Sequence, residues 1–340
     1  MRYPEFLKKG GTISFVAPAL GCTTEPYISG FNSALDTFKA LGHKAIVGNN
    51  VHESIGIGIS NTPEKCGEEL NSAYFSEEGD VIISVGGGEM MCEVVPYIDF
   101  DNIAISRPKW FMGYSDNTNY TFLSATLADT AAIYGPCAGT FGMEKWHESL
   151  EDTYKLLLGE KLVFHSYDMW EKDKIKDSEH PFVGFNLTEK TEIKTFNYNG
   201  GKISGRLIGG CLDCLCNLVG TRFDKVKEYN DRYKEDGTIW FLEACDLNVF
   251  SIRRAMWNLR EAGWFEGVKG FIIGRPLCYG EEMFGLTQYE AVTDIVKEFN
   301  VPVIMDIDIG HLPPQIPIVT GAIGTVDVVD GIFNIEYTLR

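Results

Sequence analysis

In the stretch WFMGYSDNTN, residues 110–119, a serine follows an apolar run and a glycine and precedes a helix-like segment. A tight strand-to-helix turn of this kind exposes the serine hydroxyl and sets backbone N–H groups beneath it, as in a nucleophile elbow. The usual pattern has a second glycine two residues after the serine, and Asn117 stands there instead. On local sequence alone the plainer reading is a helix N-cap, with Ser115 or Asp116 closing the helix.

A serine nucleophile needs a base, and the base needs an orienting carboxylate. Of the six histidines, His43, His52, His147, His165 and His180 lie in polar or turn-like contexts and read as surface. His311 differs: in DIGHLPPQIP it follows an apolar strand and sits between a glycine and two prolines, a rigid loop that can hold an imidazole in place. The carboxylate candidate is Glu243 in TIWFLEACD, with Asp246 as a nearby competitor. An acid at the end of a buried strand is costly unless paired. Arg253, Arg254 and Arg275 are alternative partners that would make Glu243 part of a structural ion pair.

Acyl transfer also needs donors for a developing oxyanion. Gly86, Gly87 and Gly88 form a backbone that can approach a ligand closely. The N–H groups of Gly87, Gly88 and Asp116 are the natural set. The glycines could instead cradle a phosphate, but no GxGxxG follows and no lysine sits where a P-loop requires one, so no nucleotide cofactor is expected.

These residues lie in a pattern of alternating elements. GTISFVAPA, KAIVG, DVIISVGGG and KWFMGYS read as strands; residues 26–41, 62–76 and 117–129 read as helices, with a further helix through MMCEVVPYI. Such alternation predicts a parallel sheet covered on both faces, with ligands at the carboxyl ends of its strands. GGGE and GYSD both lie at such ends. Residues 144–204 turn polar, with a helix near 148–158 followed by an irregular connection. From Gly205 the pattern resumes with GRLIGGCLDCLCNLVGT, the strands TIWFLEA, VKGFIIGRP and VPVIMDI, and helices between them; the tail alternates as antiparallel sheet with an Asp-Gly turn. The expected division is an N-terminal α/β domain at 1–165 carrying the nucleophile, a connection at 166–204, and a C-terminal mixed α/β domain at 205–340 carrying Glu243 and His311.

Composition narrows the class. The net charge is −18 over 340 residues, and no Lys/Arg-dense stretch appears. A nucleic-acid partner and an anionic membrane surface are therefore not expected. The N-terminus lacks the apolar core of a signal peptide and no run is long enough to span a membrane, so a soluble cytoplasmic protein is expected. Nine scattered cysteines read as free thiols. The cluster Cys211, Cys214 and Cys216 has leucines at helical spacing and no second pair of ligands, so it reads as small core residues rather than a metal site.

Taken in order, VAPA at 16–19, GGGE at 86–89, VPYIDFD at 95–101, GYSDNT at 113–118, YGP at 134–136, GRLIGG at 205–210, FLEA at 241–244, GRP at 274–276 and GHLPP at 310–314 resemble one family. It is the serine peptidases that include murein LD-carboxypeptidases and microcin C immunity peptidases. The resemblance implies a Ser–Glu–His triad at Ser115, Glu243 and His311. It implies a flavodoxin- or amidotransferase-like parallel sheet, a C-terminal domain with a barrel-like sheet, and a site at their junction. It implies no metal or cofactor, and often a dimer. Two positions depart from the family's habit: Cys211 where Asn is frequent, and Ala244 where Asp commonly follows the glutamate. The long interval between Ser115 and Glu243 resembles the immunity branch, whose substrate is a peptidyl or aminoacyl nucleotide; the alternatives are a murein tetrapeptide and a non-catalytic peptide binder. A nucleotide base would stack on an aromatic of the connection, where Trp170, Phe182 and Phe185 are available. A peptide carboxylate would want an arginine such as Arg275. Phe185 and Arg275 are the expected substrate contacts.

Overall fold

The computed structural model describes residues 1–340. Four strands read from sequence form four consecutive members, out to one edge, of a six-stranded sheet in the order Ile318–Thr320, Ala132–Tyr134, Trp110–Gly113, Val81–Ser84, Thr12–Val16, Lys44–Val47. All pairings are parallel except that of Ile318–Thr320. The strands are short and apolar because both faces are covered; every residue of Val81–Ser84 and Trp110–Gly113 is buried. One covering helix begins as its sequence suggests. Thr62 caps Pro63–Phe75 by accepting the Lys65 N–H, with proline in the first turn.

The second sheet has eight strands, in the order Val163–His165, Ile332–Thr338, Ile323–Val329, Ile203–Cys211, Thr238–Glu243, Val268–Gly274, Val303–Ile307, Lys194–Phe196. Its centre is parallel and both margins are antiparallel.

The two halves of the chain trade strands. Val163–His165 lies within residues 1–165 but pairs with Ile332–Thr338, because its one inward side chain, Phe164, is buried against Tyr337 at 5.6 Å. Ile318–Thr320 returns to the first sheet. The 166–204 connection is more ordered than its polar sequence suggests: Met169–Trp170 pairs with Glu189–Lys190, and Lys194–Phe196 edges the second sheet.

Two apolar cores run through the molecule, and each draws on both sheets. Ile82 and Phe111 join Trp240 and Leu242 in one; Val81, Ile83 and Met112 join Phe241 and Ile272 in the other. Alternate residues of one strand thus feed opposite cores, as the period of two requires. The helix Thr118–Ala128, directly after Ser115, is buried at every residue except Leu127. A helix without a polar face lies inside a protein, and this one packs between the first sheet's strands and Ile203–Cys211 of the second. It fixes the Ser115 turn relative to both sheets.

Candidate active site

Ser115 sits where the strand Trp110–Gly113 turns into that helix. Its φ is +63°, in the left-handed region that a β-carbon disfavours. Such strain persists only where the surroundings impose it. Here the Ser115 N–H donates to Tyr134 Oη at 3.1 Å, and its C=O accepts the Cys214 thiol at 3.6 Å. Glycine at 113 is required by close approach, since a Cβ there would lie 2.8 Å from Asn117 Cγ. Asn117 is folded back because its Nδ2 donates to Gly86 O at 2.9 Å and Tyr114 O at 3.0 Å. The residue that departs from the usual elbow pattern therefore ties the elbow to the glycine loop.

Neither Ser115 nor Asp116 caps the following helix, which has Asn117 at its N-cap and no side-chain cap bond. The Ser115 Oγ lies 2.8 Å from His311 Nε2, and His311 Nδ1 lies 2.8 Å from Glu243 Oε2. The three residues singled out in sequence thus meet, although Ser115 belongs to the first sheet and Glu243 ends a fully buried strand of the second. Glu243 is 1% exposed. Gly310, with φ +105°, is what lets the histidine loop close on it, because a Cβ there would stand 2.5 Å from Glu243 Oε2. The His311 ring also rests against Tyr114 at 5.0 Å.

The electrostatics follow from this pairing. Burial favours a neutral Glu243, but the His311 charge and hydrogen bonds from His311 and Tyr134 outweigh it and hold the carboxyl below its ordinary value. Burial also disfavours the imidazolium, yet the Glu243 charge outweighs that and holds His311 well above 6.5. Such a chain of hydrogen bonds can take a proton from a hydroxyl and pass it to a leaving group.

The glycine loop lies beside the serine: a Cβ on Gly87 would fall 3.2 Å from Ser115 Cβ and 3.3 Å from its Oγ. The N–H groups of Gly87, Gly88 and Asp116 donate to no protein acceptor. The Asp116 carboxylate accepts the Met91 N–H at 2.9 Å and is pushed up to about 6, mainly by burial. It fastens the chain just beyond the glycine loop to the Ser115 turn. Cys211 and Cys214 pack behind the site: the Cys211 N–H donates to Thr118 Oγ1 at 3.0 Å, and Asp213 between them accepts the N–H groups of Cys245 and Asp246. Asp246 itself is exposed and Glu243 takes the orienting position.

The two expected substrate contacts are elsewhere. Arg275 is 1% exposed, ion-paired with Asp308, bonded to Asp306 O at 2.6 Å and lying over the Trp170 ring at 4.9 Å, so it cannot greet a substrate carboxylate. Phe185 packs on His147 at 5.6 Å, and Trp170 is buried beneath Arg275. Of Trp170, Phe182 and Phe185 only Phe182 is well exposed. Arg253 pairs with Asp294 and Arg254 bonds Ser251, so none of the three arginines reaches Glu243. His43, which reads as surface, is buried between Gly11 O and Tyr154 Oη.

Two family profiles match the chain: an LD-carboxypeptidase N-terminal domain over residues 13–135 and an LD-carboxypeptidase C-terminal domain over residues 204–326. The microcin C7 self-immunity protein MccF of Escherichia coli is 26% identical over 279 residues, 79% of this chain and 77% of that protein. A Bacillus subtilis protein named "Probable murein peptide carboxypeptidase" is 24% identical over 325 residues, 94% of this chain and 89% of its own length. The fold is that of MccF solved with aspartyl sulfamoyl adenosine, with a TM-score of 0.82 at 21% identity over 98% of both chains.

Proposed function

The chain belongs to the LD-carboxypeptidase family, and from that premise we propose that it is a serine hydrolase cutting the amide bond of an aminoacyl- or peptidyl-nucleotide conjugate. The observation that carries the hydrolase reading is the unbroken hydrogen-bond chain from Ser115 Oγ through His311 to Glu243. His311 takes the Ser115 proton as Oγ attacks the acyl carbon. The N–H groups of Gly87, Gly88 and Asp116 receive the oxyanion. His311 then gives the proton to the leaving nitrogen as the C–N bond breaks. Water repeats the sequence on the acyl-serine: His311 takes its proton, the hydroxide adds, and the proton returns to Oγ as the acid departs. Glu243 holds His311 in the tautomer that keeps Nε2 free to accept, and stabilises the imidazolium.

The choice of substrate is supported by the charge around the site. Glu89 is raised first by burial and then by the charges of Asp246 and Asp213, and it also feels His311, so negative charge collects around Glu89 on the histidine's side of the glycine loop. The ammonium of an aminoacyl group is attracted there, and the terminal carboxylate of a murein tetrapeptide is repelled. With Arg275 committed to Asp308, the cation expected for that carboxylate is absent from its post. The fold shared with MccF in complex with aspartyl sulfamoyl adenosine supports the same choice.

The test is to incubate the protein and its Ser115→Ala variant with an aminoacyl sulfamoyl adenosine and with a murein tetrapeptide, and to follow products by mass spectrometry. The expected result is Ser115-dependent release of the amino acid and sulfamoyl adenosine. Ser115-dependent loss of D-Ala with the conjugate untouched would make the chain a cell-wall enzyme. Release that survives Ser115→Ala would overturn the mechanism.

A further inference from the structure

Tyr134 ends the strand beside the nucleophile's own strand in the first sheet. It is buried, edge-on to Tyr114 at 6.3 Å and tilted against Phe241 at 5.5 Å. A buried phenol needs polar partners, and this one has two. The Ser115 N–H donates to its Oη at 3.1 Å, and Oη lies 2.5 Å from Glu243 Oε1. The directions are forced: an amide N–H can only donate, so the single phenolic hydrogen is left for the carboxylate.

The Glu243 carboxylate then carries one donor on each oxygen, Tyr134 on Oε1 and His311 on Oε2. The terminal torsion of a glutamate is broad and roughly two-fold, so one donor alone would leave the plane of the carboxylate loosely set. With both, Oε2 is aimed at the imidazole. The other bond grips the Ser115 backbone at the residue whose φ of +63° is unfavourable, and it removes that N–H from the set able to meet an oxyanion. Ser115 stands on the first sheet and Glu243 on the second.

We propose that Tyr134 is a positioning residue that joins the two sheets at the site, orienting the Glu243 carboxylate toward His311 and holding Ser115 in its left-handed turn. This rests on the triad reading above. The groups facing Glu243 are His311, Tyr134 and Cys211; those facing His311 are Glu243 and Cys245, with Glu89 at longer range. Changing Tyr134 alone leaves the others in place.

The experiment compares wild type, Tyr134→Phe, Tyr134 replaced by 3-fluorotyrosine, and Ser115→Ala on the aminoacyl sulfamoyl adenosine across pH, with thermal unfolding of each. Tyr134→Phe should lower kcat by about 10- to 100-fold, the loss of one hydrogen bond to a charged group, with KM little changed. Its acid limb of kcat/KM should move to higher pH, because a carboxylate relieved of a competing donor holds the imidazolium proton more tightly. The more acidic fluorophenol is a stronger donor and should move the limb to lower pH. A folded Tyr134→Phe with unchanged kcat and limb would overturn the proposal. If Tyr134→Phe does not fold, the fluorotyrosine limb decides: a downward shift supports the role and an unmoved limb overturns it. Turnover surviving Ser115→Ala would instead remove the triad itself.

Discussion

The proposed chemistry turns on one proton. His311 is held above 6.5 because the Glu243 charge outweighs the burial of its ring. In the proposed mechanism neutral imidazole is the base, so kcat/KM should climb with pH along a limb whose midpoint lies above the ordinary histidine value. Stability runs the other way. A raised folded-state value contributes fully below the unfolded value and is lost as pH rises through the folded one. The Glu243 contribution, with its folded value depressed, is present above the unfolded carboxyl value and lost as pH falls through the folded one. The pair therefore holds the fold best between those limits, while activity is gained at the upper edge. A pH–rate profile recorded beside a pH–stability profile checks both; a limb below 6.5 would contradict the assigned coupling. Ser115, Glu243 and His311 are legible in sequence because each breaks its local pattern: a serine after strand and glycine, an acid closing an apolar strand, a histidine between glycine and prolines. Tyr134 breaks none. A tyrosine at the end of AIY is ordinary strand sequence, and its task depends on which strand lies beside it.

Among the elements, the site is the Ser115 elbow, the glycine loop and the histidine loop brought together at strand ends. Asn117 ties the elbow to the glycine loop through Gly86 O, and Asp116 ties it to Met91. Asn117→Ala removes the first tie while leaving Ser115, His311 and Glu243 in place. It should lower kcat by about 10- to 100-fold, as expected when one donor organising an oxyanion site is lost, with a smaller effect on KM. Steady-state kinetics of a variant shown to be folded would check it, and an unchanged kcat would mean the loop needs no such tie. The strands and long helices match the sequence pattern because period and punctuation are local. The edge strands do not: Val163–His165 and Lys194–Phe196 are each three residues long, too short to carry a periodicity, and their places come from the partners they find.

For the whole molecule, shared cores and traded strands make one body of two sheets, and charge pairs within it serve that body. Arg275 and Asp308 join the ends of neighbouring parallel strands, and Asp308 also accepts the Tyr167 N–H at 2.8 Å, drawing in the connection. Such a pair is invisible in sequence because it depends on register across the sheet, which is why Arg275 reads there as a free cation. Arg275→Met leaves the Asp308 carboxylate buried without its partner and should cost about 3–5 kcal/mol, read by denaturant unfolding, while KM of the folded variant stays near wild type. A weakened KM with unchanged stability would return Arg275 to the substrate. Activation of Ser115 by His311 for acyl transfer is checked by reaction with a fluorophosphonate followed by intact-mass and peptide mass spectrometry. A single adduct on Ser115 is expected, absent from Ser115→Ala and formed far more slowly by His311→Ala. Labelling that persists in Ser115→Ala, or that proceeds at the same rate without His311, would contradict it.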